Sequence, residues 1–214
     1  VSISGHKTES LFYKYVKLSL DEYAQKNFYS KLGASTLGYS PLKKFDKSQI
    51  APTETDEYFR QQLLQGYVHD RGAAILDGVS GHAGLFSNAN DLAKLLQMLL
   101  NGGEYGGEKF IDSKTIELFT SCPFCENGNR KGYGFDKPEP DGKKLDPTCH
   151  CTSLRSYGHT GFTGTLFWVD PEQSLIYIFL SNRVNRKTPD ASNTMLGDSA
   201  LRPRIQRIIY QAII

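Results

Sequence analysis

A predicted β-hairpin in the last third of the chain constrains the fold more than any other feature of the sequence. Residues 165–169 are mostly aromatic and apolar, residues 170–174 have the composition of a turn, and residues 175–180 form an apolar run. This order is typical of two antiparallel strands joined by a turn. Residues 157–164 precede the hairpin, and His159, Thr160 and Gly161 within them open a run that is also predicted to be a strand. We therefore expect an antiparallel sheet.

Helices are predicted to cover this sheet. Ser19 and Glu22 have the spacing of a capping box, which opens a helix that Gly33 ends. Asn90 is predicted to cap the most regular amphipathic helix, and Asp112 a shorter one. A last helix is predicted from an apolar stripe expected to pack on the sheet. Its members are Ile205, Ile208, Ile209, Ala212 and Ile213. The expected fold class is α+β, with helices flanking an antiparallel sheet.

Length and charge limit the classes of partner. A chain of 214 residues with 39% hydrophobic content can bury one sizeable core, so a single domain is expected. The net charge is +2 and no long run of like charges occurs, which argues against a nucleic-acid partner. No apolar stretch approaches the roughly 18 residues of a transmembrane segment. Small molecules or peptides are the expected partners, and no cofactor is expected.

The middle of the chain carries weaker signals. Residues 34–60 contain scattered prolines and polar residues and are predicted to be irregular and on the surface. Residues 70–90 are rich in glycine and are predicted to form a close-packed loop. We interpret His82, inside this loop, as a structural histidine whose hydrogen bonds are satisfied. His69 carries no motif and is expected to serve loop packing.

The four cysteines form two close pairs, and three states are open to them. Cys122 and Cys125 make one pair, and Cys149 and Cys151 the other. The spacing suits a zinc site with four thiolates, although no metal is our preferred expectation. One or two disulfides closing the loop between the pairs would suit an exported protein, and free thiols are the third state. None of these states makes the cysteines catalytic.

The residues His159, Thr160 and Gly161 are the main candidates for chemistry. They place a basic group, a hydroxyl and a glycine in a row at the start of the predicted sheet. His159 could stabilise an anionic group or a developing oxyanion, and we take it as the candidate catalytic residue. Thr160, Gly161 and Phe162 are the candidate substrate-binding residues. Gly161 would let a ligand approach the backbone, and the Phe162 amide could point at it.

Several pieces together resemble a serine β-lactamase or a penicillin-binding-protein-like hydrolase, closest to the class C and esterase-like branch. They are the His159-Thr160-Gly161 strand, residues 81–87 leading into a helix, Tyr133-Gly134-Phe135 and the hairpin at Trp168-Val169-Asp170-Pro171. Residues 62–70 and 129–138 are similar to the β-lactamase-type domain that follows a family 3 glycosidase domain in some Bacteroidetes proteins. That similarity implies an exported, periplasmic or envelope-associated protein, with a glycosidase domain in the same parent chain.

The resemblance implies an acyl-enzyme mechanism with three motifs. A Ser-x-x-Lys pair supplies the nucleophile and base, a Tyr-x-Asn motif follows, and His159-Thr160-Gly161 matches the third. Thr160 would bind the substrate carboxylate or carbonyl. The Phe162 amide would be one half of the oxyanion hole, and the amide of the nucleophile would be the other.

The first two motifs are not found in the family's order. Ser4-Gly5-His6-Lys7 and Ser40-Pro41-Leu42-Lys43 have the letters of the nucleophile motif but the wrong context, and no Tyr-x-Asn occurs. We therefore expect residues 1–214 to be an incomplete β-lactamase-like domain whose first motifs precede Val1. No acyl-enzyme is expected from these residues alone. The alternative is a catalytically inactive module that binds cell-wall peptide or packs on a glycosidase.

Overall fold

The computed structural model describes residues 14–127, 129–139, 147–185 and 201–213. They fall into two compact units. The first ends at Leu95 and also takes in residues 184–185, and the second begins at Leu96. Two compact units are compatible with the single domain that we predict, which stays a prediction. Within the described ranges, no helix has both the length and the apolar character needed to cross a bilayer.

The first unit begins with the predicted capping box. The Ser19 hydroxyl accepts the Glu22 amide at 3.3 Å, and the Glu22 carboxylate accepts the Ser19 amide at 2.8 Å. This box opens helix α1, Leu20–Ala24, which continues as a π-helix over Gln25–Tyr29. Gly33 follows with a positive φ of 63°. The box and the glycine are thus confirmed at the two ends of this segment. Two short 3-10 helices, Pro41–Lys43 and Lys47–Gln49, come next.

A hairpin then begins inside residues 34–60, which we predicted to be irregular, and ends beyond them. Strands β1, Pro52–Asp56, and β2, Gln62–Gln65, pair antiparallel. The buried Asp56 carboxylate holds the turn between them, because it accepts the amides of Tyr58, Phe59 and Arg60. These bonds, that from Phe59 first, keep the pKa of Asp56 below its usual value. Polar bonds at the turn, rather than an alternating apolar pattern, stabilise this hairpin, so the pattern did not reveal it.

Two helices complete the first unit as far as its boundary. Asp70 accepts the Ala73 amide at 2.7 Å and caps α2, Arg71–Ile75, a helix that we did not predict in the glycine-rich stretch. The long helix α3, Ala89–Leu100, runs across the boundary of the two units. Its cap is Asn88, whose side chain accepts the Asp91 amide at 2.8 Å. The prediction that Asn90 caps this helix is therefore wrong by two residues.

The second unit contains two short strands and a helix before its main sheet. The strands β3, Glu104–Tyr105, and β4, Glu108–Lys109, form a small antiparallel pair. Asp112 accepts the Lys114 amide at 3.0 Å and caps α4, Ser113–Thr120, as predicted. A 3-10 helix, Cys125–Asn127, follows.

The main sheet confirms the predicted hairpin and the fold class. Strands β5, Tyr157–Thr160, β6, Leu166–Asp170, and β7, Leu175–Phe179, lie in the order β5-β6-β7, and both neighbouring pairs are antiparallel. Helix α5, Leu201–Ile213, packs on this sheet. The fold is α+β, with antiparallel sheets and flanking helices.

The apolar stripe of α5 is only partly as predicted. Ile205 and Ile209 pack on the cluster of Leu166, Trp168 and Tyr177. Ile208 and Ile213 are instead 65% and 49% exposed, and Gln206 and Tyr210 are buried. The buried face of α5 follows positions four residues apart and includes two polar side chains with specific partners. The pattern of apolar residues alone therefore did not identify the buried face of α5.

Candidate active site

The register of β5 and β6 fixes where the candidate residues lie. His159 is opposite Phe167, and Thr160 is opposite Leu166. Because successive side chains in a strand point to opposite faces, the His159 and Thr160 side chains lie on different faces of the sheet. Thr160 is on the face of Leu166, which belongs to the core under α5. His159 is exposed on the other face.

The outer edge of β5 is paired at Gly158 and, among the described residues, unpaired at Thr160. Gly158 exchanges two backbone hydrogen bonds with Asp136, at 2.7 and 3.0 Å. Backbone groups in a strand point alternately to its two sides, so those of Thr160 point to the same outer edge as those of Gly158. Among the described residues, no segment bridges to Thr160 on that side. Thr160 therefore presents its backbone at the open end of the strand.

The His159 ring lies beside this open end. Its Nδ1 is 2.7 Å from the Thr160 carbonyl oxygen. A carbonyl oxygen can only accept, so Nδ1 carries the proton and donates it. Nε2 is then the ring atom left to meet a ligand, as an acceptor when the ring is neutral. The structure thus brings His159 and Thr160 together through the backbone of Thr160 and not through its hydroxyl.

The turn after Thr160 orients the Phe162 amide. The Gly164 amide donates to the Gly161 carbonyl at 3.0 Å and closes a four-residue turn. The Gly161–Phe162 peptide is trans, so its N–H points opposite to its carbonyl. The carbonyl points into the turn, and the Phe162 N–H therefore points out of it. The Phe162 side chain is largely exposed.

The glycines of this segment make room for neighbouring protein atoms, and the close approach of a ligand at Gly161 stays a prediction. A Cβ on Gly158 would meet the Phe167 carbonyl oxygen and the Trp168 ring. A Cβ on Gly161 would meet the Thr165 hydroxyl oxygen. The room left by the missing side chains is therefore taken by protein atoms. Gly164 has a φ of 106°, which an L side chain rarely adopts.

Two residues before β5 support the site and were missed in the sequence. Asp136 supplies the backbone that covers Gly158. Lys137 is buried, and its ammonium donates to the carbonyls of Thr120 and Arg155 at 2.9 and 3.0 Å. Burial lowers the pKa of Lys137 to about 8. The motif Tyr133-Gly134-Phe135 was the available signal, since Phe135 packs on Tyr157 and leads directly into this pair.

The structure confirms His82 as a histidine with both ring nitrogens bonded. Nδ1 lies 2.8 Å from the Ser80 hydroxyl, and Nε2 lies 3.0 Å from the Asp70 carboxylate. The carboxylate can only accept, so Nε2 carries the proton and the Ser80 hydroxyl donates to Nδ1. These contacts have the connectivity of a catalytic triad. Ser80 is only 2% exposed, however, and its hydroxyl is not available to a substrate.

The remaining histidine and serine candidates are structural or out of place. His69 pairs with Glu54 at 2.7 Å and helps to fix the first hairpin. Ser40 precedes a 3-10 helix of three residues, Pro41–Lys43, and adopts a left-handed φ of 46°. An active Ser-x-x-Lys pair is expected on a longer helix that places both side chains together. Ser4-Gly5-His6-Lys7 lies outside the described residues.

The cysteines form two local disulfides, Cys122–Cys125 and Cys149–Cys151. The zinc and free-thiol alternatives are therefore wrong for this structure, and no cluster of metal-ligating side chains occurs in the described ranges. The expectation that a disulfide closes the loop between the pairs is also wrong. Each bridge joins residues only three or two positions apart, which sequence spacing could not distinguish from pairing across the loop.

Thiol titration is expected to follow this pairing. The native chain should show no reactive thiol, and four should appear after reduction and unfolding, because all four cysteines are bridged. Ellman's reagent measures both states, and mass spectrometry after proteolysis identifies the pairs. Native protein that binds one equivalent of zinc with four titratable thiols would contradict the assignment.

Comparison with known proteins identifies the family of this chain. The β-lactamase family model matches residues 14–202. A candidate D-alanyl-D-alanine carboxypeptidase of Salmonella typhi is 37% identical over 179 residues, which are 78% of this chain and 40% of that protein. A protein of the same name from Escherichia coli K12 is 35% identical over 184 residues, 80% of this chain and 42% of its own length. The chain thus spans about two fifths of the length of these relatives.

Solved structures share the fold at low sequence identity. A β-lactamase from Mycobacterium bovis has a TM-score of 0.62 and 18% identity, over 96% of this chain and 60% of the other. A penicillin-binding-protein homologue from Caulobacter crescentus has a TM-score of 0.55 and 19% identity, over 92% and 56%. These likenesses establish the fold alone. With the family match along most of its length, the chain belongs to the β-lactamase family.

Proposed function

We propose that this chain forms the substrate-binding edge of a serine hydrolase that acts through an acyl-enzyme on D-amino-acid peptides, β-lactams or esters. The observation that supports this most directly is the end of β5, where the Thr160 backbone faces the open edge and the Phe162 N–H points out of the turn. The carboxypeptidase names of the relatives favour a peptide ending in D-alanine as the substrate class.

Each residue has a separate role in this proposal. A substrate lying along the edge would pair with the Thr160 backbone as an added strand. Its scissile carbonyl would then reach the end of β5, where the Phe162 N–H would stabilise the oxyanion as the bond is attacked. With both ring nitrogens protonated, Nε2 of His159 would donate to the leaving group or to the substrate carboxylate. The Thr160 hydroxyl would bind the substrate beside Gly161.

The proposal assigns the attacking serine and its lysine to polypeptide outside residues 1–214. Neither Ser40 nor Ser80 suits that role, because Ser40 lacks the helix and Ser80 is buried. The proposed setting is the periplasm or cell envelope. Two disulfides support an oxidising compartment, and the carboxypeptidase names fit peptidoglycan as the source of substrate. A glycosidase domain in the same parent chain stays a prediction.

Binding of a D-alanyl peptide tests this function on the chain as it is. We expect acetyl-D-alanyl-D-alanine to shift the amide resonances of residues 157–164, with a Kd on the order of millimolar because the nucleophile's half of the site is not supplied. Thr160→Val should weaken binding roughly three- to tenfold, since it removes one hydrogen bond. Thr115→Val, on an exposed face of α4, is the matched control and should bind like the wild type.

Stereochemistry gives the decisive comparison in the same titration. Acetyl-L-alanyl-L-alanine should cause shifts that are weaker or that do not saturate. Equal binding of both peptides, or shifts confined to residues away from β5, would contradict the proposed site.

A further inference from the structure

The turn that carries the Phe162 amide is surrounded by two arginines. Arg183 Nε donates to the Phe162 carbonyl at 2.5 Å, and the Arg183 backbone amide donates to the Thr163 carbonyl at 2.9 Å. Arg202 Nη1 lies 3.0 Å from the Thr165 carbonyl oxygen and 3.4 Å from that of Gly164. Four successive carbonyl groups, 162–165, are thus held by two residues.

We infer that Arg183 and Arg202 are positioning residues that lock this turn and thereby aim the Phe162 N–H, an inference whose catalytic meaning rests on the proposed function. Guanidinium groups suit this task because their donors are numerous, planar and permanently charged. Bonds from a charged donor are also stronger than neutral ones. The turn is therefore held in one shape before any substrate arrives.

The hydrogen bonds also form a series that ends at the Phe162 amide. The Arg183 amide donates to the Thr163 carbonyl, and the Gly164 N–H of that same peptide unit donates to the Gly161 carbonyl. The Gly161 carbonyl in turn belongs to the peptide unit that carries the Phe162 N–H. Hydrogen bonds in series polarise one another, so each bond strengthens the next donor. The last donor is the one that the proposed function uses.

Arg183 is fixed on the turn by stacking as well. Its guanidinium carbon lies 4.8 Å from the centre of the Phe162 ring. This distance is within the range of a cation–π contact. The exposed Phe162 ring thereby acts as a platform that keeps the Arg183 side chain over the turn. Arg202 is anchored from the other side, since its own carbonyl accepts the Tyr177 hydroxyl at 3.2 Å.

Hydrogen exchange of the turn amides tests this inference without an activity assay. Arg183→Gln should raise the exchange rates of the Gly161 and Gly164 amides about tenfold or more, the effect of losing a charged hydrogen bond. The exchange rates in Arg183→Lys should lie between those in Arg183→Gln and those in the wild type, because an ammonium keeps the charge but not the planar fork. Arg183 and Arg207, the position of the control variant, are both exposed, so neither substitution should unfold the chain.

Arg207→Gln is the matched control. Arg207 is also exposed and donates to a carbonyl, that of Cys149 at 3.1 Å, away from the turn. Arg207→Gln should leave the exchange rates of the Gly161 and Gly164 amides at their wild-type values. Unchanged rates in Arg183→Gln, or equal increases throughout the sheet in both variants, would overturn the inference. Faster turn exchange in a chain that binds no D-alanyl peptide would instead keep the arginine lock and reject the proposed function.

Discussion

Replacing Gly158 with alanine is expected to cost about 3 kcal/mol or more of the free energy of unfolding, since overpacking of a core typically costs roughly 1–3 kcal/mol and here backbone is also displaced. The new Cβ would meet the Phe167 carbonyl oxygen and the Trp168 ring on the neighbouring strand. Neither can move aside cheaply. The carbonyl is part of β6, and the indole is 1% exposed and donates to the Ser156 hydroxyl at 2.9 Å.

The same substitution at Gly81 provides the control for Gly158→Ala. A Cβ there would meet nothing within 4 Å, and Gly81 is not among the glycines with positive φ. Gly81→Ala should therefore change stability by less than about 0.5 kcal/mol. Urea unfolding followed by tryptophan fluorescence measures both variants, because Trp168 is the single tryptophan. A Gly158→Ala protein as stable as the control would show that β5 and β6 are packed differently.

Asp170→Asn is expected to destabilise the chain by about 2–4 kcal/mol near pH 7, because a buried set of charged hydrogen bonds is broken. The Asp170 carboxylate is 1% exposed. It accepts the Ser153 amide and hydroxyl at 2.8 and 2.6 Å and the Tyr210 hydroxyl at 2.6 Å. An asparagine can present only one acceptor oxygen, and its NH₂ group would face donors.

The pH dependence of this loss has a definite sign. Burial raises the pKa of Asp170, but the hydrogen bonds from its donors outweigh burial and hold the pKa below its ordinary value. The native carboxylate thus contributes fully above the unfolded pKa, near 3.9, and the contribution fades as pH falls through the lower folded value. The stability difference between wild type and Asp170→Asn should therefore shrink in acid.

Asp77→Asn is the control for the acid dependence. Asp77 is exposed and has a φ of 55°, a conformation that asparagine also tolerates. The free energy of unfolding of Asp77→Asn should stay within about 0.5 kcal/mol of the wild-type value at every pH. Denaturant curves from pH 7 to pH 3 make the comparison. A loss in Asp170→Asn that is independent of pH would show that a neutral packing defect, and not the carboxylate, is responsible.

The sequence predicted elements that carry a recognised local pattern and missed elements that lack one. The capping box at Ser19 and the Asp112 cap were found because both signals lie within four residues. The first hairpin was missed because Asp56 stabilises it through amides of the turn rather than through alternating apolar residues. Asn88 and Asn90 are equally good caps by composition, and the structure shows Asn88 in that role, accepting the Asp91 amide.

The role of the candidate site residues stays a prediction. His159, Thr160, Gly161 and Phe162 do meet at one strand end, because they are consecutive. The packing need at Gly158 could not be read from the sequence, since the group that needs Gly158 is Trp168, ten positions away and adjacent only through the strand register. The two arginines escaped notice for the same reason. Arg183 and Arg202 reach the turn from segments some 20 and 40 residues further along the chain.

The short open edge of β5 also has a consequence for ligand size. Asp136 pairs with the backbone of Gly158, and a turn begins at Gly161, whose amide donates to the Thr165 carbonyl. Within the described ranges, Thr160 is thus the one outward-facing residue of β5 without a backbone partner on that edge, and its carbonyl already accepts His159 Nδ1. Long strands from other chains would gain little there, which limits self-association. If the proposed function holds, an edge this short would suit the end of a peptide better than a long extended segment.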